Sequence, residues 1–215
     1  MYETIIFDLD GTLLDTLDDL HAAVNAALAA FALPLRSKEE VRCFVGNGIA
    51  NLMRLSIGER VDVNFDGALA AFKEYYRAHC KDKTAAYAGI MPLLQELKAR
   101  GIKTAVVSNK ADFAVKLLAD EYFGDLLSVA VGENESAGIR KKPAPDSLLS
   151  VMEQLGATKA TTVYVGDSEV DILTAKNAGV DCLSVTWGFK DRAFLQENGA
   201  RIFIDEPSQI LAYCK

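Results

Sequence analysis

Two carboxylates separated by a single residue, Asp8 and Asp10, stand directly behind a run of β-branched and aromatic residues, Tyr2 to Phe7. Side chains two apart on an extended strand share a face. Neighbouring carboxylates repel, so the pair calls for a cation or a proton between them. Magnesium meets that need, because it takes hard oxygen ligands and favours one or two carboxylates together with substrate phosphate. Asp167 stands just beyond another apolar run, Thr162 to Val165, and Asp171 follows it by four, one helical turn on and on the same side. Ser108-Asn109 ends a third run, Thr104 to Val107. Gly11 permits a tight turn after Asp10. The plainer alternative is that these are turn and cap residues, since Asp-Gly is common in loops.

These groups act together only if the fold gathers them. From about residue 88 onward, helical and extended patterns alternate. Helices are expected over 90–100, 111–119, 145–155 and 169–178, three of them closed by Gly101, Gly156 and Gly179, the usual left-handed stops. Strands are expected over 104–107, 126–131, 162–165, 182–185 and 202–204. Apolar β-branched runs without alternation indicate strands covered on both faces, hence a parallel sheet. Repeated βα units imply a doubly wound α/β core of Rossmann-like type. In such sheets the ligand site lies beyond the C-terminal strand ends, which is where Asp8, Ser108 and Asp167 fall.

Residues 15–87 break the alternation. Leu20, Ala23, Val24, Ala27, Leu28 and Phe31 trace one apolar helical face. Thr16 with Asp19, and Ser37 with Glu40, look like capping boxes. Phe65, Leu69, Phe72 and Tyr76 mark a later amphipathic helix with Asn64 as N-cap. An all-helical domain over 15–87 is therefore expected within an α/β core made of 1–14 and 88–215. Gly46-Asn47-Gly48 could turn backbone N–H groups toward an anion, or could be an ordinary helix–helix turn. Arg42 and Arg54 flank it; either suits a carboxylate, and either could be a plain surface arginine. His21 and His79 belong to no ligand cluster.

The 215 residues carry a net charge of −7, which disfavours nucleic acid and anionic membranes as partners. Any phosphate site must then be locally positive. Cys43, Cys80, Cys182 and Cys214 lack ligand spacing and read as thiols of a reduced compartment. No run reaches the roughly 18 apolar residues of a membrane span, and a cytoplasmic protein is expected. No GxGxxG follows the first strand and there is no Walker-type lysine loop, so a dinucleotide-binding dehydrogenase is set aside.

Asp8-Leu9-Asp10-Gly11-Thr12-Leu13-Leu14-Asp15-Thr16 resembles the first motif of the haloacid dehalogenase superfamily of phosphohydrolases. Ser108-Asn109 resembles its second motif, Lys142-Pro143-Ala144-Pro145 the third, and Gly166-Asp167-Ser168-Glu169-Val170-Asp171 the fourth. The four stand in order and span nearly the whole chain. Val45-Gly46-Asn47-Gly48 and Trp187-Gly188-Phe189 make the chain most similar to the phosphoglycolate phosphatases. No proline follows Tyr87, and Lys110-Ala111 stands where the family commonly carries one.

The resemblance implies that the inserted helices form a cap. It also implies a role for each matching residue. Asp8 is the nucleophile, and Asp10 is the acid that protonates the leaving oxygen and then the base for water. Ser108 and the backbone at Asn109 hold phosphoryl oxygens, and Lys142 pairs with phosphate and Asp8. Asp8, the backbone carbonyl of Asp10, and Asp167 ligate Mg2+, with Asp171 in support. Thr12, Asn109, Gly46, Asn47 and Gly48 make up the expected substrate-binding set. The expected partner is a small phosphorylated metabolite, 2-phosphoglycolate first among them, and the expected assembly a monomer or homodimer. Rival readings on the same scaffold are a pyrophosphatase, a sugar or nucleotide phosphatase, and a mutase of β-phosphoglucomutase type. A non-catalytic phosphate-binding module is the reading from a different class. Dehalogenation would leave Asp10 without a task, and a phosphonatase would want a lysine that the loop around Gly46 does not offer.

Overall fold

The structure, a computed structural model, describes residues 1–60, 62–135 and 138–215. It divides into two compact units, Met1–Leu14 with Ala86–Lys215, and Asp15–Ala85.

The first unit is built on a six-stranded sheet. Its strands are β1 (Thr4–Phe7), β4 (Lys103–Ala111), β5 (Val129–Glu133), β6 (Thr162–Gly166), β7 (Asp181–Val185) and β8 (Ile202–Ile204), in the order β5-β4-β1-β6-β7-β8. Every pairing is parallel. β1 lies between β4 and β6, with Phe7 opposite Val106 on one side and Val165 on the other. The strand order reverses there, the crevice where α/β sheets bind ligands. β1 and β6 are buried along their whole lengths, as their unbroken apolar runs require. Helices α5 (Ile90–Ala99), α6 (Asp112–Phe123), α7 (Asp146–Gln154), α8 (Glu169–Ala178) and α9 (Arg192–Glu197) alternate with the strands. Leu148, Val151 and Met152 of α7 and Ala175 and Ala178 of α8 pack on Ile6, Ala105, Val107 and Tyr164. Burying one such large apolar side chain contributes roughly 1.5–3 kcal/mol, so this layer anchors the loops that leave the strands.

The second unit holds α1 (Leu17–Ala30), α2 (Lys38–Phe44), α3 (Ile49–Ile57) and α4 (Phe65–His79). Short strands β2 (Leu14–Asp15) and β3 (Ala85–Ala86) pair where the chain passes between the units. The return crossing comes two residues before the boundary expected at 87. Tyr87 already donates its N–H to the carbonyl of Leu13, which ties it to the sheet-bearing unit.

Several local expectations change. The Ser37–Glu40 capping box is formed, and Asn64 caps α4 by accepting from Gly67 N. Thr16 makes no side-chain cap bond. The buried Asp19 carboxylate instead accepts from the N–H groups of Lys83 and Thr84 and from the Thr84 hydroxyl, at 2.8–3.1 Å. A distant partner with three donors outcompetes the local cap. Tyr2 makes only an isolated bridge to Cys214, so β1 begins at Thr4. β5 begins at Val129 because Gly124–Leu126 forms a 3-10 turn. β4 runs on to Ala111, where the sequence pattern suggested a helix start. α3 and α9 are short helices that the apolar periodicity did not reveal. No helix among the described residues is long and apolar enough to cross a membrane.

Candidate active site

β1 delivers Asp8 to the middle of the sheet edge, where its N–H donates to the carbonyl of Val165 at 2.8 Å. One carboxylate oxygen accepts from Leu9 N at 2.7 Å, and the other meets Lys142 Nζ at 3.0 Å. Ser108 also hydrogen-bonds this carboxyl. Burial pushes the Asp8 acid up to about 7, aided by the Asp171 and Asp10 charges and opposed by Lys142.

Beyond Asp8 the chain closes on itself. The N–H groups of Thr12, Leu13 and Leu14 all point at the carbonyl of Leu9. Gly11 sits at φ 77°, and a Cβ there would lie 2.3 Å from Asp167 Oδ2. The turn therefore lets the backbone touch the second acid. It also changes the expected place of Thr12. This residue is fully buried and its hydroxyl donates to Asp167 Oδ1 at 3.2 Å, so its side chain supports an acid and does not line a substrate surface.

Asp167 follows β6. Its other oxygen accepts from Phe189 N at 2.7 Å. Gly188 makes that approach possible, because a Cβ there would lie 2.3 Å from Asp167 Cβ and 2.4 Å from the Gly11 carbonyl. Trp187 Nε1 donates to the Thr12 carbonyl at 3.0 Å, so this segment locks the first-motif turn. Burial, with Asp171 and Asp8 nearby, pushes the Asp167 acid well above the ordinary carboxylate range. Asp171, in the first turn of α8, is 0% exposed. One oxygen accepts from Ser168 N and Oγ at 3.1 and 2.6 Å, and the other from Lys142 Nζ at 2.7 Å.

Lys142 is 2% exposed and its ammonium reaches Asp8, Asp171 and the Tyr164 hydroxyl, the last at 3.0 Å. Tyr164 donates onward to the Val107 carbonyl at 2.7 Å. Burial works against the charge on Lys142, but Asp171 and Asp8 overcome it and hold its pKa well above the usual lysine value. Its backbone is gripped from both sides: Asn109 Nδ2 donates to its carbonyl at 3.0 Å, and its N–H donates to Asn109 Oδ1 at 2.8 Å. The Asn109 side chain is thus spent on placing Lys142.

Asp10 is paired with a residue that the sequence pattern did not single out. Lys110 Nζ donates to Asp10 Oδ1 at 2.8 Å. Tyr164 was missed as well, since it reads as an ordinary strand aromatic. The available signal for Lys110 was its place two residues beyond Ser108, matching Asp10 two residues beyond Asp8 on the neighbouring strand.

Oxygens of Asp8, Asp167 and Asp171 lie within 4.8 Å of one another. With Asp10 they make four carboxylates facing two ammonium groups. A buried excess of negative charge built from hard oxygens suits a small divalent cation. The carboxylate of Asp10 lies outside this cluster; the ligand atom expected from that residue was its backbone carbonyl.

Gly46, Asn47 and Gly48 lie in the helical unit, where Gly48 at φ 81° opens α3. Arg42 is exposed in the last turn of α2, and the Arg54 guanidinium stacks over Phe65 at 5.1 Å within the same unit. His21 meets Asn25 and the Arg36 carbonyl, and His79 pairs with Asp82.

Residues 5–185 match the family model described as haloacid dehalogenase-like hydrolase. The chain is similar to Phosphoglycolate phosphatase 1 of Pseudomonas aeruginosa, 35% identical over 214 residues, which cover 96% of this chain and 78% of that protein. It is 33% identical over 216 residues to a phosphoglycolate phosphatase of Pseudomonas syringae pv. syringae, covering 98% and 79%. A solved structure from Lactobacillus delbrueckii subsp. bulgaricus, provisionally named a phosphoglycolate phosphatase, aligns with a TM-score of 0.90 at 35% identity, over 97% of this chain and 96% of that one. CbbY from Rhodobacter sphaeroides, solved in complex with phosphate, aligns with a TM-score of 0.80 at 26% identity, over 98% and 96%.

Proposed function

The chain belongs to the haloacid dehalogenase-like hydrolase family, and from that premise we propose a magnesium-dependent phosphatase that hydrolyses a small phosphomonoester through an aspartyl-phosphate on Asp8. The chain is an enzyme of the phosphoric monoester hydrolase class. 2-Phosphoglycolate is the leading substrate, on the names of relatives at 33–35% identity. The observation that carries the mechanism is one contiguous group at three adjacent strand ends: Asp8 touched by Lys142 and Ser108, Asp10 beside it, and Asp167 and Asp171 behind.

A carboxylate is a weak nucleophile and attacks phosphorus only when the phosphoryl charge is neutralised. In the proposed reaction an oxygen of Asp8 forms a bond to phosphorus as the ester P–O bond breaks. Asp10 gives its proton to the leaving oxygen. Water then attacks phosphorus, Asp10 takes the proton, and the bond to Asp8 breaks to release phosphate. Ser108 and the Asn109 N–H hold phosphoryl oxygens. Lys142, fixed by Asp171, Tyr164 and Asn109, presents its charge beside Asp8. Asp8, the Asp10 carbonyl and Asp167, supported by Asp171, would hold Mg2+, which would supply further neutralising charge at the phosphoryl group. At an effective dielectric near 20, one unit pair at about 4 Å is worth roughly 4 kcal/mol, on the order of a thousandfold in rate. The backbone N–H groups of Gly46, Asn47 and Gly48 are proposed to face a substrate anion.

The test is phosphate release from a panel of phosphorylated metabolites with and without magnesium. The expected result is metal-dependent turnover with the highest kcat/KM for 2-phosphoglycolate, and none for Asp8→Asn with its fold intact. Appreciable turnover by Asp8→Asn, or turnover without any divalent metal, would sink the mechanism. A different preferred ester would move the substrate alone.

A further inference from the structure

We propose that Lys110 is a positioning residue for this reaction, holding the Asp10 carboxylate in the direction that proton transfer requires. The inference rests on the reading of Asp10 as the acid and base.

Its first support is the pairing itself. Lys110 Nζ lies 2.8 Å from Asp10 Oδ1, and the two side chains are 1% and 13% exposed. Other ion pairs of this chain, such as Lys98–Asp125 and Lys116–Asp112, expose their lysines to water. Those cost little to form and hold little in place. Burying a lysine removes its hydration and freezes a four-carbon stem, so the pair persists only because the surroundings fix it.

The second support is how the backbone brings Lys110 there. Between Val107 and Ala111 the pairing of β4 with β5 shifts, so that Ser108, Asn109 and Lys110 stand opposite the single residue Gly132. A Cβ on Gly132 would lie 2.5 Å from the Lys110 carbonyl and 2.5 Å from Asp112 Cα, so this shape needs a glycine opposite. Such irregularities re-aim side chains beside active sites. Here they match one strand end to the next. Ser108 meets Asp8, Lys110 meets Asp10, and Asn109 between them turns to the Lys142 backbone.

The third support is that Lys142 cannot do the same work. An ammonium has three donors, and those of Lys142 go to Asp8, Asp171 and Tyr164. Holding the acid and holding the nucleophile therefore fall to two different lysines. Asp10 must serve two partners in turn, the leaving oxygen and the water, each within about 2.6–3.2 Å. A displacement near 1 Å can cost on the order of a hundredfold in rate.

The test compares Lys110→Met, which keeps length and loses charge and donors, with Lys110→Gln, which keeps a donor. Both are made in the wild-type and Asp10→Asn backgrounds. Steady-state kinetics use magnesium and the phosphomonoester that the wild type turns over best. Phosphorylation of Asp8 by acetyl phosphate is followed by intact mass. For Lys110→Met we expect kcat down about 10- to 100-fold, with KM within about threefold and Asp8 still phosphorylated by acetyl phosphate. Lys110→Gln should recover part of the loss. In the Asp10→Asn background Lys110→Met should add less than about threefold, because two groups acting as a unit are not additive. A raised KM with kcat unchanged would overturn the proposal in favour of direct substrate binding. A full additional loss in the Asp10→Asn background would overturn it too. Undiminished turnover by Asp10→Asn alone would remove the reading of Asp10 itself, and the proposal with it. If Lys110→Met does not fold, Lys110→Gln carries the same split between kcat and KM.

Discussion

Gly188→Ala probes the site without touching a charged group. Gly188 does not have a left-handed backbone, so alanine meets no conformational objection there. The objection is space. The new methyl would sit 2.3 Å from Asp167 Cβ, 2.4 Å from the Gly11 carbonyl oxygen and 2.5 Å from Asp167 Oδ2. Ordinary contact begins near 3.4 Å, so about 1 Å of overlap must be relieved on two sides. Two of the atoms in the way are a backbone oxygen and a Cβ, neither the free end of a flexible chain. Overpacking of this kind costs roughly 1–3 kcal/mol. For a chain of this size that lowers Tm by about 2–12 °C. The larger effect falls on function, because the motion that relieves the clash moves Asp167 or the first-motif turn. A shift near 1 Å predicts kcat/KM down on the order of a hundredfold. Gly101→Ala is the control. It has open space but φ +71°, so it costs roughly 1–2 kcal/mol of strain and leaves activity intact. The assay pairs thermal unfolding with phosphate release for both variants. If Gly188→Ala keeps kcat/KM within threefold of wild type, the packing argument for Asp167 is wrong.

Magnesium should stabilise the metal-free protein. At a hundredfold excess over Kd the linkage amounts to ~2.7 kcal/mol, a rise of about 5–11 °C in Tm, and Asp167→Asn should lose most of it. A Tm indifferent to magnesium in differential scanning fluorimetry would count against the carboxylate cluster as a cation site. Asn109→Ala removes both bonds to the Lys142 backbone and should cost about 2–4 kcal/mol in urea unfolding, with kcat falling through the displaced lysine. Asp19→Ala strands the backbone N–H groups of Lys83 and Thr84, while the Thr84 hydroxyl keeps the Cys80 carbonyl, and should cost a similar ~2–4 kcal/mol. Its signature is faster hydrogen exchange at those two amides; unchanged exchange would mean that water replaces the carboxylate.

Much was legible without coordinates because it depends on short-range pattern. Unbroken apolar runs announce buried parallel strands, and polar residues just beyond them announce the ligand edge of the sheet. Hence Asp8, Asp10, Ser108, Asp167 and Asp171 could be named from order and spacing, and so could the all-helical character of the insert; Lys142, the end of a short basic run, is singled out only by the family resemblance. The Ser37–Glu40 box could be read for the same reason, since both of its partners lie within one helical turn.

What tertiary structure alone decided is which partner each polar group takes. Thr16 and Asp19 have the spacing of a cap, yet Asp19 bonds to Lys83 and Thr84, more than sixty positions along the chain. Thr12 is expected among the substrate-binding residues, yet its hydroxyl turns inward to Asp167. Lys110 looks like a loop residue, yet a shift in strand pairing opposite Gly132 carries it to Asp10, a hundred residues away. The opening pair of carboxylates called for a cation or a proton, and the fold answers with a buried lysine at Asp10 and a cluster of acids around Asp8. A local pattern records which chemistry a segment can supply. Competition among donors and acceptors distant in the chain is settled only when packing removes water and leaves each buried group one affordable partner.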